Sequence, residues 1–199
     1  MASKESHSQK EHASFVEPAI KEICASSGID LKDIEAISVV NGPGSYTGLR
    51  VGLASAKALC YVLNKPLILL NTLDVMAYAL KFQSNVNDPD SMFCPVIDAR
   101  RAEVFTALYD NNVNIIETYS AELVDEFFLH RYNEKTIIIG GDGSVKVHNL
   151  LNSEKFIYIN PLLLTSSIVF LCASAFDKQI FSSVAYSEPF YLKPVYFKK

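Results

Sequence analysis

Ile34-Glu35-Ala36-Ile37-Ser38-Val39-Val40-Asn41-Gly42-Pro43-Gly44-Ser45-Tyr46-Thr47-Gly48-Leu49-Arg50 is the stretch on which the fold turns. Its first part, Ile34 to Val40, is a β-branched run and reads as a strand. Asn41 to Gly48 reads as loop, and Leu49 to Leu63 returns to an apolar helical pattern. Pro66 breaks that pattern, and Leu67–Leu70 is a second short strand. Strands separated by helices argue an α/β fold.

Upstream, residues 12–27 read as a helix. Phe15, Ala19 and Ile23 share one row, and Val16, Ile20 and Cys24 the next, at i, i+4 spacing. Pro18 sits in the first turn or kinks a longer helix, and Gly28 is the natural stop. Downstream, Thr72 with Asp74 close behind caps a helix to about Phe82. Residues 84–91, SNVNDPDS, are the most linker-like stretch in the chain and argue for two lobes. Met92–Asp98, Glu103–Tyr109 and Val113–Thr118 then read as a strand meander, and Ala121–Leu129 as a short helix. Thr136–Ile139 is a strand leading into Gly140-Gly141-Asp142-Gly143-Ser144. Val145–Leu151 is helical, Ile157–Ile159 is a strand, and Glu188–Lys199 is a proline-interrupted tail.

The 199 residues are enough to bury a core, and 49 % apolar against 20 % charged residues excludes a disordered or fibrous chain. Net charge is −4, so no basic excess marks a protein that binds nucleic acid by itself. Cys24, Cys60, Cys94 and Cys172 are widely spaced and read as reduced residues of a cytosolic protein, with no disulfide or zinc framework. Leu162 to Phe176 is uncharged but shorter than the roughly 20 residues of a membrane span, so it reads as a buried helix.

The glycine-rich loop supports two readings. Gly42, Gly44, Gly48 and Gly52 follow a strand and open a helix. With Ser45, Thr47 and Arg50 they suit an anion cradle at a helix N-terminus, or they serve only the strand-to-helix corner. The dinucleotide spacing and the P-loop lysine are both missing. The following helix poses a second alternative. From Val51 to Leu63 its only charge is Lys57, and a helix apolar all round must be covered all round. Either a partner chain or domain covers its outer face, or helix 12–27 does.

Asp98, Arg100, Arg101 and Glu103 crowd one strand-to-strand turn, as a self-neutralising ion-pair cluster or as acid–base machinery. Gly140 to Ser144 is a second glycine turn, a helix start capped by Asp142 or Ser144, or a second phosphate cradle. His7 and His12 are five apart and share no helix face as a metal pair would.

Asn41 to Arg50 resembles the signature of the TsaB (YeaZ) family. Glu11-His12, Ile97-Asp98-Ala99-Arg100-Arg101-Ala102-Glu103-Val104 and Glu188-Pro189-Phe190-Tyr191-Leu192-Lys193 agree in the family's order, so the resemblance spans essentially the whole chain. It implies an α/β, actin-like ATPase fold of two RNase-H-like lobes, residues 1–91 and 92–199. The last helix and tail pack back on the first lobe. Members open with an acidic strand and a hairpin, about three strands' worth of residues, which are missing before Met1 here, so a phosphate-binding turn is missing too.

The resemblance further implies a non-catalytic cytoplasmic scaffold that binds TsaD, with TsaE, for threonylcarbamoylation of the adenosine beside the tRNA anticodon. A homodimer forms in their absence, tRNA is met only through the complex, and no membrane is involved. His12, Phe15, Ala19, Ile23, Gly52, Ala56, Leu59 and Leu63 would form the partner interface. TsaD carries two histidines on its equivalent first helix. Only His12 matches here, so neither a metal nor transferase activity is implied. The chain needs no cofactor of its own, with ADP or ATP placed at the interface with TsaD. Two other readings remain: an actin-like nucleotide-binding protein with its own ATPase or phosphotransfer activity, which needs an acidic residue on a first strand, and a metallopeptidase, which needs a histidine pair.

Overall fold

The computed structural model describes residues 2–6, 12–151, 153–160, 162 and 164–193, with the backbone alone at residues 12 and 13. His7 and Glu11, and the tail beyond Lys193, lie outside the described residues. In chain order the elements are α1 (His12–Ser27), β1 (Ile37–Gly42), α2 (Tyr46–Leu63), β2 (Leu67–Asn71) and α3 (Thr72–Gln83). Then follow β3 (Met92–Asp98), β4 (Glu103–Tyr109), β5 (Ile115–Leu123), β6 (Ile137–Gly140), α4 (Ser144–Leu150), β7 (Phe156–Ile159) and α5 (Thr165–Asp177).

The chain folds as two compact units. One is the chain up to Asn71 with Ile168–Phe190, and the other is Thr72–Ser167 with the described tail from Tyr191. The boundary therefore falls before α3 and not at residue 91. The reason is packing: Leu73, Met76, Ala77 and Leu80 of α3 share a buried cluster with Phe93, Ala107, Tyr109 and Ile138. A helix belongs where its apolar stripe is covered.

In the first unit β1 and β2 pair in parallel from Ile37↔Leu67 to Gly42↔Asn71. β2 is β1's single strand neighbour among the described residues. Leu53, Ala56 and Cys60 of α2 pack on this sheet with Leu67, Ile37 and Val39. α1 ends as expected at Gly28, whose φ is +66°, with the Ile29 N–H bonded to the Cys24 carbonyl at 3.1 Å. Pro18 lies inside α1.

In the second unit the sheet order is β5-β4-β3-β6-β7. The meander β3-β4-β5 is antiparallel, and β3-β6-β7 is parallel. Alternation sorts its residues as a pleated sheet requires. Phe93, Ala107, Tyr109 and Ile138 face α3, while Cys94, Val96, Val104, Leu108, Ile137 and Ile139 face a second core with Val147 of α4. Burial pushes the Cys94 thiol up to about 12 against the opposing hydrogen bond with Thr106, which makes it an inert core residue.

The structure corrects three local expectations. Ala121–Leu129 is not a helix: β5 continues to Leu123, paired with Glu103, and turns follow. Val124 and Phe128 still reach the core, so the apolar spacing that suggested a helix is used by a turn. Thr72 does not cap α3, since its buried hydroxyl has no hydrogen-bond partner among the described residues. Asp74 instead accepts from the Tyr109 hydroxyl at 2.7 Å and the Tyr119 hydroxyl at 3.0 Å. Finally, α5 is not a buried helix: Ser167 is its one fully buried residue, and Val169 and Phe170 are about half exposed. No described helix is long and apolar enough to cross a membrane.

Candidate functional site

The glycine-rich loop starts α2 earlier than the apolar pattern indicates. Ser45 is the N-cap, its hydroxyl accepting the Gly48 N–H at 3.3 Å, so the helix begins at Tyr46 and not at Leu49. Gly42 has a φ of +125°, and a Cβ there would lie 2.3 Å from the Phe190 carbonyl oxygen. The Phe190 N–H in turn donates to the Asn41 carbonyl at 2.8 Å. Gly42 is thus required by the chain segment that crosses it. A carbonyl oxygen occupies the close approach that a phosphate oxygen would need, so the residues present do not fit a phosphate at Gly42. Gly52 lets α2 rest on β1, 3.5 Å from Val39. The Arg50 guanidinium stacks over its own Tyr46 ring at 4.0 Å, and Gly44, Ser45 and Thr47 are exposed.

Lys57, the lone charge of α2 from Val51 onward, is turned inward. Its ammonium donates to the Ala185 and Ser187 carbonyls, both at 3.1 Å, and pins the segment that ends at Phe190. From Val51 onward the outer face of α2 is therefore left without charge, the exposed Arg50 lying at its N-terminal end. There Tyr61 is 83 % exposed and Val62 77 %. Ala58 and Ala54 lie one and two turns earlier, also exposed. Beside them Ile20 of α1, Leu31, Ala58, Leu59 and Val62 line a groove rimmed by Glu17 and Lys21.

This resolves the covering of α2 in a mixed way. The sheet covers one face and α1 packs alongside, yet a strip of small and apolar residues stays open. Of the expected interface residues, Phe15, Ile23, Gly52, Leu59 and Leu63 are half-buried; Leu59 lines the groove, whereas Gly52 lies toward Val39 of β1. Ala19 and Ala56 are not on it: they are 6 % and 5 % exposed, and Ala56 belongs to the sheet-facing core. The His12 side chain lies outside the described residues. Ala54, Tyr61 and Val62 lie outside the expected set, although their i, i+7 and i+8 spacing is readable.

The charged turn between β3 and β4 does not neutralise itself. Asp98 pairs with Lys146 at 2.8 Å, and Glu103 with Lys193 at 2.5 Å, both lysines coming from distant segments. Arg100 and Arg101 are exposed. Nor does Asp142 or Ser144 cap α4. Gly143 holds the N-cap position without a side-chain bond, and Asp142 accepts the Asp98 N–H at 2.9 Å. Gly141 and Gly143 serve close packing, a Cβ on Gly141 lying 2.2 Å from the Val96 carbonyl oxygen. Among the described residues no three His, Cys, Asp or Glu side chains group as metal ligands.

The Lys146 hydrogen bond, then the Arg100 N–H, hold the Asp98 carboxyl below its ordinary value against the opposing effect of burial. A depressed folded pKa adds stability above the unfolded value, near 3.9, and loses it as pH falls through the lower folded value. Lys146→Met is expected to flatten the acid limb of stability between about pH 5 and pH 2. Urea melts across that range check it, and an unchanged pH slope would contradict the pairing.

The family description "TsaD: tRNA N6-adenosine threonylcarbamoyltransferase" matches residues 4–189. The tRNA threonylcarbamoyladenosine biosynthesis protein TsaB of Bacillus subtilis is 32 % identical over 109 residues, 55 % of this chain and 45 % of that one. The Escherichia coli TsaB is 33 % identical over 105 residues, 53 % of this chain and 44 % of its own length. The chain thus spans about half the length of these curated relatives. Among solved structures, YeaZ from Pseudomonas aeruginosa superposes with a TM-score of 0.77 at 18 % identity, covering 92 % of this chain and 85 % of that one. That likeness shows the fold expected from the resemblance.

Proposed function

Because the chain belongs to the family of the tRNA N6-adenosine threonylcarbamoyltransferase TsaD, we propose that it is the TsaB-type subunit of a tRNA-modifying complex. In this reading it is a non-catalytic cytoplasmic partner that binds TsaD, acts with TsaE, and forms a homodimer when they are absent. The observation that carries the reading is the apolar outer face of α2 from Val51 onward, with Tyr61 and Val62 presented to solvent beside a groove shared with α1. A monomer gains nothing by exposing a rigid apolar strip beside a groove, whereas a helical partner buries both. ADP or ATP would enter as a ligand of the assembled complex.

The test is reconstitution. The chain alone, given ATP, peptide, or threonylcarbamoyl-adenylate with tRNA, is expected to show no turnover. Co-purification with TsaD and modification of tRNA are expected once TsaD and TsaE are supplied. ATP hydrolysis that stays with the chain and disappears in Arg50→Ala or Gly44→Val would favour an independent nucleotide enzyme instead. By itself the chain should scatter light as a dimer, and a monodisperse monomer would count against the homodimer.

A further inference from the structure

The β3–β4 turn takes no part in the partner face, and its two arginines are left over when every other charge near it has been assigned. The backbone of the turn is tightly held. The Ala99 N–H donates to the Glu103 carbonyl at 3.1 Å, and the Glu103 N–H to the Arg100 carbonyl at 3.2 Å. The Arg100 N–H donates to the Asp98 carboxylate at 2.6 Å, and Asp142 grips the Asp98 N–H. The carboxylates that would ordinarily absorb the guanidiniums are already taken by Lys146 and Lys193. Lys146 also donates to the Glu103 carbonyl at 2.9 Å. Arg100 and Arg101 therefore have no side-chain partner among the described residues, and both are exposed.

Their backbone makes the arginines harder to explain as filler. Arg100 has a φ of +68° and Arg101 of +50°, two successive residues in the left-handed region. Glycine or asparagine adopts that region more easily. An arginine held there contributes no internal contact that would offset the strain, and observed strain of this kind points towards function.

We propose that Arg100 and Arg101 form a contact point for the phosphate backbone of RNA, reading no bases and helping to orient the tRNA on the assembled complex. The choice of RNA follows from the chemistry. A guanidinium is always charged and presents a planar fork that meets phosphate oxygens bidentately. Two such forks on adjacent turn residues suit successive phosphates of one strand. The side chains between and beside them, Ala99 and Ala102, are too small to form the apolar pocket by which a peptide is usually anchored. The chain's net charge of −4 means the contact positions RNA held chiefly by another subunit and does not capture it alone. The identity of that RNA rests on the function proposed above.

The experiment compares wild type with an Arg100→Asn, Arg101→Gly double variant, each assembled with TsaD. An unmodified tRNA transcript is titrated at several salt concentrations. The variant residues suit the left-handed backbone, so the thermal midpoint should stay level or rise, and assembly with TsaD should be unchanged. The tRNA affinity should fall several-fold, and the slope of log affinity against log salt should shrink by about 1.5 to 2, one phosphate contact per arginine. Equal affinity and slope would overturn the proposal. Loss of TsaD assembly with unchanged tRNA affinity would overturn it in favour of an acidic protein surface. If wild type does not assemble with TsaD, the proposed function fails. The chain alone, titrated at low salt and high concentration where weak contacts are readable, then decides the arginine contact: weak tRNA binding that the double variant loses supports it, and binding equal in both, or absent, overturns it.

Discussion

Gly42→Ala should lower stability by about 3 kcal/mol or more, the sum of a strained left-handed residue and a backbone collision. The new methyl would sit 2.3 Å from the Phe190 carbonyl oxygen and 3.1 Å from Leu49 Cδ1, at a φ of +125° that side chains avoid. A carbonyl oxygen held by the Phe190–Asn41 backbone bond cannot swing aside as a side-chain end would. The segment pinned by Lys57 would have to lift from β1. In a chain of this size the loss corresponds to a melting point about 6–12 °C lower. Gly44→Ala is the control. Its nearest neighbour is Leu49 Cδ2 at 4.0 Å, so it should melt within about a degree or two of wild type. Equal melting of the two variants would mean that Phe190 does not lie on Gly42.

Ala58→Arg should abolish binding to TsaD while leaving the fold intact. Ala58 is exposed beside Leu59 and Val62 on the open strip, so a long cation there meets only water in the free chain. Buried unpaired in a helix-to-helix interface it costs about 3 kcal/mol or more, which is over about 100-fold in Kd. Ala56→Arg is the opposite case. Ala56 packs with Leu53, Cys60 and Leu67, and a guanidinium there overfills the core and buries a charge. That variant should fail to fold, which a soluble, cooperative melt would disprove. Co-purification with TsaD reads the first variant. Normal recovery of the complex with Ala58→Arg would remove the outer face of α2 from the interface.

These two alanines also show where reading the sequence stops. They are two residues apart in a helix whose sides are almost equally apolar, so periodicity marks a helix but not its inward side. The spacing assigns Ala56 to the partner face, yet Ala56 lies against the sheet and Ala58 is exposed. The inward direction of Lys57 is equally invisible, because its acceptors are the carbonyls of Ala185 and Ser187, well over a hundred residues away.

Local chemistry was enough for much of the rest. The β-branched run at Ile34–Val40 forms its strand only from Ile37 on, while the Gly28 stop and the apolar α2 arise from spacing and backbone preference within a few residues and stand in the structure. So does the α/β class, because alternating strand and helix periods admit few other architectures. Only tertiary structure decided what was set by distant partners. Gly42 is needed because Phe190 crosses it, and Asp98 and Glu103 find Lys146 and Lys193 in place of the adjacent arginines. Likewise α3 joins the second unit because its apolar stripe is covered there. A sequence window shows which groups are charged, small or apolar; which of them meet depends on contacts between segments far apart in the chain.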